Sequence, residues 1–215
     1  MFRYTALGDS ITAGFGASSP TLAYPALVVK ETAAVRRAFA SNQILAEAGW
    51  NSEALLSALT ANSALPLTQS SAITIWVGGD DLVDAGFAIL SGSSRSIIKT
   101  TLVQYGKDIA AMTAAIKGVS RTPVVLCTQY NPFPNSPMAV EAIAALNSVT
   151  REVSAKLGTG LAPADAWFEG RQPELIAGYT TGKLEDVLVR HKAPIHPNNL
   201  GHRVIASNLA PILAS

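Results

Sequence analysis

Tyr4-Thr5-Ala6-Leu7-Gly8-Asp9-Ser10-Ile11-Thr12 joins a short apolar run to a Gly-Asp-Ser turn, and the reading of this stretch decides the fold. Residues 4–7 have strand character; runs at 42–46, 72–77 and 124–128 repeat it, with a weaker fifth at 161–164. These runs are apolar almost throughout rather than alternating, as strands are when helices cover both faces of a sheet. Between them, 24–40, 51–59, 96–119, 136–157 and 200–213 have the length and apolar spacing of helices, several bounded by Ser, Asn, Gly or Pro. The alternation predicts the α/β class: a doubly wound, flavodoxin-like domain of three layers, α/β/α, around a mostly parallel sheet of five strands. Segments 60–71 and 86–96 are rich in Ser, Gly and Ala and read as loops, and 158–195 is poorly periodic with several breakers.

At 215 residues the chain fits one ordinary domain, 1–215, with no linker or repeat. Hydrophobic residues make up 48% and charged residues 14%, and the formal charge is +1, which gives no electrostatic reason for a nucleic-acid partner. A small, neutral substrate fits this balance. No apolar run reaches the roughly 18 residues of a membrane span. Met1-Phe2-Arg3 runs directly into the motif with no room for a signal peptide, so the chain as written is expected in the cytoplasm unless a leader was removed. Cys127, the single cysteine, lies in Pro123-Val124-Val125-Leu126-Cys127 and reads as core rather than as a reactive thiol.

A serine becomes a useful nucleophile when a sharp strand-to-helix turn projects its hydroxyl and a nearby imidazole takes its proton. Gly8-Asp9-Ser10 follows the first strand, at the carboxyl end of an open parallel sheet, where ligands bind. Near the other end, Ile195-His196-Pro197-Asn198-Asn199-Leu200-Gly201-His202 sets a histidine on a loop before the last helix. Taken alone, Gly-Asp-Ser is often a turn or helix cap and a lone histidine an ordinary loop residue; the histidine is a candidate base for a candidate nucleophile.

These blocks resemble the SGNH (GDSL) hydrolase family, whose first block is GDS, third GxND and last DxxH, commonly continuing HP…GH. The resemblance implies that Ser10 is the nucleophile and His196 the general base. It also implies that Gly49, in Glu47-Ala48-Gly49-Trp50-Asn51-Ser52, is the oxyanion glycine, and that the oxyanion is held by the N–H groups of Ser10 and Gly49 and by the third-block side chain. Two positions depart from the pattern. Gly78-Gly79-Asp80-Asp81 places Asp80 where the family has asparagine, and Ala193-Pro194-Ile195-His196 places Ala193 where it has the triad aspartate.

An ionised Asp80 cannot donate a hydrogen bond, and losing one oxyanion donor costs roughly 3–4 kcal/mol. Three readings stand open: a protonated Asp80 that donates, a rebuilt charge network in which Asp80 faces the His196 imidazolium, or impaired activity. The implied reaction is hydrolysis of small-molecule carboxylic esters of short or medium acyl chains, needing no cofactor. The competing class is an inactive relative that keeps the crevice to bind an ester or a carbohydrate. Asp9 reads as a turn-stabilising residue, His202 as structural or capping and His191 as a solvated loop residue. Trp76 reads as core, and Trp50 and Phe15 as core or pocket lining. Asp80, Asp81 and Asp84 together offer carboxylates to a metal, but capping and block position explain them more economically.

Overall fold

The computed structural model describes residues 1–62, 65–189 and 193–214, and His191 therefore lies outside the described residues. In chain order the elements are β1 (Phe2–Gly8), α1 (Ser10–Ala13), α2 (Tyr24–Arg36), β2 (Ala40–Ala46), α3 (Ser52–Ala61), β3 (Ala72–Trp76), α4 (Gly79–Leu90) and α5 (Ser96–Val119). There follow β4 (Val124–Cys127), α6 (Pro137–Leu157), β5 (Gly160–Ala162), α7 (Ala164–Phe168), α8 (Gln172–Leu175), α9 (Asp186–Val189) and α10 (Asn199–Ala214). The strands form one five-stranded sheet in the order β2-β1-β3-β4-β5, with every ladder parallel. The expected single-domain α/β/α class is what the chain adopts.

The period-two alternation of side chains splits each strand between two cores. Phe2, Tyr4 and Ala6 of β1, Trp76 of β3 and Val125 and Cys127 of β4 join a cluster covered by α2, α7, α8 and α10. Leu7, Ile73, Ile75, Val124 and Leu126 face the opposite way, against Leu55 and Leu59 of α3, Tyr105 to Ile116 of α5 and Leu146 of α6. Trp76 is fully buried, and burial pushes the Cys127 thiol well above its ordinary pKa, so this cysteine is core as expected.

Three boundaries differ from expectation. The helix expected over 24–40 stops at Arg36, because Arg37 takes the left-handed conformation (φ 47°) and its N–H caps Ala33 and Ala34; Ala40 already belongs to β2. The loop expected over 86–96 begins too early, since α4 runs through Gly86 to Leu90. Gly86 reads as a breaker but is an ordinary interior helix position, and Asp81 and Ala85, a turn apart, are that helix's buried side. The described residues of the segment 158–195 hold β5 and three short helices.

The strand order reverses direction at β1, whose neighbours are β2 on one side and β3 on the other. Gly8 is level with Ala46 and with Trp76, so the chain leaves the sheet at one height on three adjacent strands. Ser10, Gly49 and Asp80 follow those three exits by two, three and four residues. This is the switch point at which open α/β sheets bind ligands.

Candidate active site

The turn that presents Ser10 is built from its immediate neighbours. Gly8 ends β1 in close contact with the next turn: a Cβ there would lie 2.2 Å from Thr12 Oγ1 and 2.4 Å from the Trp76 carbonyl oxygen. Asp9 is the N-cap of α1, accepting the Ile11 N–H at 2.9 Å. It is buried, and burial first, with the nearby Asp80 and Asp81 charges adding, raises its pKa to about 8. Asp9 therefore supports the turn as a largely protonated side chain at neutral pH. Ser10 is 8% exposed and heads the short helix.

His196 arrives from the far end of the chain, its Nε2 2.9 Å from Ser10 Oγ. It is only partly exposed, and burial lowers its pKa below the ordinary value, which favours the neutral ring that can accept a proton. No hydrogen bond is made by its Nδ1 among the described residues. Ala193 contributes its carbonyl to the Ile195 N–H at 2.9 Å. The histidine is held by its backbone instead. Ala177 N–H donates to the His196 carbonyl at 2.9 Å, Pro197 forms an antiparallel bridge with Ile176, and Asn198 N–H donates to the Leu175 carbonyl at 2.8 Å.

The loop after Ser10 packs directly on this segment. Gly16 has φ 88°, and a Cβ there would lie 2.1 Å from the Pro197 carbonyl oxygen. The Phe15 ring, 49% exposed, lies 5.5 Å from the imidazole between centroids, so Phe15 flanks the site. Trp50 instead packs against the core beneath α3 and α5. His202 is fully buried: its Nδ1 accepts the Tyr24 N–H at 3.2 Å and its Nε2 donates to the Phe15 carbonyl at 3.0 Å. That pairing fixes its tautomer and makes it a structural tie between α10 and the loop after Ser10.

Gly49 and Asp80 sit on two segments that are stapled together. Asp81 accepts both the N–H (2.9 Å) and the hydroxyl (2.5 Å) of Ser52, and Asn51 Nδ2 donates to Asp84 at 2.9 Å. The staple binds the first turn of α3, just after Gly49, to the first turn of α4, which carries Asp80. Gly49 is exposed with φ 83°, a conformation natural to glycine. Asp80 is partly buried, and burial first, then Asp84 and Asp81, raises its carboxyl to about 6. Beside it, α3, α4 and α5 line an open cleft of about 150 Å³ bounded by Glu53, Asp81, Asp84 and Asp108, among others, that includes neither Ser10 nor His196. Among the described residues no group of three or more His, Cys, Asp or Glu side chains is arranged to hold a metal ion, and no helix is long and apolar enough to cross a membrane.

A residue that sequence reasoning did not single out is Tyr130, beyond the end of β4, whose hydroxyl donates to the Ile195 carbonyl. No local pattern marks it, because the contact spans 65 residues.

Solved structures share the whole architecture. A lipase, Lip_vut3, from a goat rumen metagenome superposes with TM-score 0.81 at 21% identity, covering 99% of this chain and 97% of its own. A single-residue mutant of Axe2, an acetyl-xylooligosaccharide esterase from Geobacillus stearothermophilus, gives 0.74 at 14% identity, covering 100% and 94%. The esterase EstA from Pseudoalteromonas sp., inhibited by monoethylphosphonate, gives 0.66 at 14%, covering 99% and 97%. No curated protein sequence matches the chain. The model of the GDSL-like lipase/acylhydrolase family matches residues 6–204, from the first strand through the histidine loop into the last helix, and the chain belongs to that family of hydrolases.

Proposed function

We propose that the protein is a serine esterase that hydrolyses small-molecule carboxylic esters of short or medium acyl chains through an acyl-enzyme on Ser10, with His196 as general base. The observation that carries this reading is the 2.9 Å contact between His196 Nε2 and Ser10 Oγ, bridging residues 186 apart in sequence at the carboxyl end of the sheet. The Ser10 oxygen attacks the ester carbonyl while its proton passes to Nε2. The tetrahedral intermediate then expels the alcohol, which takes that proton. Water attacks the acyl-Ser10 with His196 again as base, releasing the carboxylic acid and restoring the serine. The exposed Phe15 ring beside the imidazole supplies apolar surface on the scale of a short acyl chain.

The oxyanion is served by the N–H groups of Ser10 and Gly49 and by Asp80 in its protonated form, which donates where the family pattern has an asparagine. With its pKa raised to about 6, Asp80 donates at acidic pH and becomes a repelling carboxylate as pH rises through that value. His196 must be neutral, which burial favours by lowering its pKa below the ordinary value. Activity therefore peaks on the acid side of neutrality. Asp80→Asn keeps a donor at every pH and lifts kcat/KM at pH 8 by roughly tenfold or more. An alkaline limb unchanged in a folded Asp80→Asn protein would remove Asp80 from the oxyanion site.

One observation favours a second reading, a low-turnover relative whose crevice binds an ester or carbohydrate: His196 Nδ1 has no carboxylate partner among the described residues, and Ala193 stands where the family has its acid. A panel of p-nitrophenyl esters of increasing acyl length, hydrolysed beside Ser10→Ala from pH 4 to 9, separates the two. The esterase reading predicts at least ~1000-fold faster release by the unaltered protein, and equal rates in both proteins sink it.

A further inference from the structure

We infer that Tyr130 is the positioning residue for the catalytic base, anchoring the histidine loop from beneath in place of an acid at 193. This rests on the serine-esterase reading above. An aspartate in a triad both orients the histidine ring and stabilises its charged form. Here the orienting part is done through the main chain. The Tyr130 hydroxyl donates to the carbonyl of Ile195, the residue directly before His196. Tyr130 is itself immobilised: it is 3% exposed and stacks on the fully buried Phe168 at 4.1 Å with 12° between the rings. A rigid hydroxyl on the end of a stacked ring is a short, stiff strut from the core to the active-site loop.

The other constraints on His196 leave a gap that this strut fills. Ala177 holds the His196 carbonyl and Ile176 bridges Pro197, both on the carboxyl side of the Ile195–His196 bond. Phe15 and Gly16 press on the loop from the nucleophile's side. On the amino side the Ala193 carbonyl bonds the Ile195 N–H two residues on, a contact within the loop itself. Among the described residues, Tyr130 is the long-range anchor there. Burial holds its phenol far above the ordinary pKa, so the donor persists at every working pH. Since a misplacement of about 1 Å at a reacting group costs up to roughly 100-fold, loss of this one hydrogen bond acts on turnover and not on substrate affinity.

Tyr130→Phe keeps the stacked ring and removes only the strut. It is expected to lower kcat roughly 10- to 100-fold, with KM changed less than about twofold. Ala193→Asp, which returns a side-chain partner to His196, is expected to recover most of that loss in the Tyr130→Phe background and to gain clearly less in the unaltered protein. Equal gains in both backgrounds, or a kcat untouched by Tyr130→Phe, would overturn the proposal. Nitrogen-15 spectra of the His196 ring read the same question without turnover: the strut predicts shifted or broadened resonances in Tyr130→Phe, and identical resonances contradict it. Should Tyr130→Phe fold poorly, Phe168→Leu loosens the ring but keeps its hydroxyl, and it is expected to show a smaller kcat loss with the same rescue; no loss there would contradict the strut. If the unaltered protein is no faster than Ser10→Ala, the esterase reading fails, and the ring spectra still decide where Tyr130 acts.

Discussion

The two halves of the site are made in opposite ways. Around Ser10, the strand end, the cap and the helix that present the hydroxyl lie within residues 8 to 13, and apart from the bonds of Asp9 N–H to the Trp76 carbonyl and of Thr12 to the Tyr24 hydroxyl their hydrogen bonds run between near neighbours. Around His196 almost nothing is local: the loop is pinned by Tyr130, Leu175, Ile176 and Ala177 from below, and by Phe15 and Gly16 from the nucleophile's side. The proposed nucleophile is thus specified by sequence motif and the proposed base by tertiary packing. A fault in local geometry harms the first, and a fault in the packing of distant elements harms the second.

The sharpest break comes at the meeting of the halves. Ser10→Ala removes the nucleophile while leaving the turn intact, and the expected loss of ester hydrolysis is at least ~1000-fold with little change in melting temperature. Next is Gly16→Val, which keeps Ser10 and His196 but drives a branched side chain into the Pro197 carbonyl from a backbone at φ 88°. It is expected to destabilise the fold by about 1–3 kcal/mol and to lower kcat, as seen by thermal melts and ester kinetics.

A smaller effect separates the halves by pH. His202, tied to the loop after Ser10, is buried neutral with its pKa pushed down to about 4, chiefly by burial. Between about pH 6.5 and 4 the unfolded chain binds a proton that the folded protein refuses, so stability falls as pH falls, by about 1.4 kcal/mol per unit at most. Asp9 acts the other way. Its folded pKa of about 8 lies above that of the unfolded chain, so its contribution is full below about pH 4 and is lost as pH rises through 8. The two slopes oppose each other between about pH 4 and 6.5, so melting temperatures against pH check the pair: His202→Gln leaves stability falling as pH rises through that window, and Asp9→Asn leaves it rising there and abolishes the fall between about pH 6.5 and 8.

The same contrast explains what is legible in the chain alone. Helix α5 is expected over 96–119 and runs over those residues, because its apolar spacing and its flanking breakers agree. The nucleophile turn is legible for the same reason: strand, glycine, cap and serine are consecutive. The second half of α4 is not, because Gly86 looks like punctuation and only packing against α5 shows otherwise. The end of α2 is hidden because Arg37, not a glycine, takes the left-handed position. Tyr130 carries no signal, since a tyrosine after an apolar run is ordinary until Ile195 is brought to it.

The central claim, that Ser10 is acylated with His196 as its base, is tested most directly by mixing the protein with p-nitrophenyl acetate, quenching in acid within a turnover and mapping the acetyl group by mass spectrometry. The account predicts one acetyl group, on Ser10, absent from Ser10→Ala and strongly diminished in His196→Ala. Release of p-nitrophenol with Ser10 unmodified, or at the same rate from the Ser10→Ala protein, would contradict it.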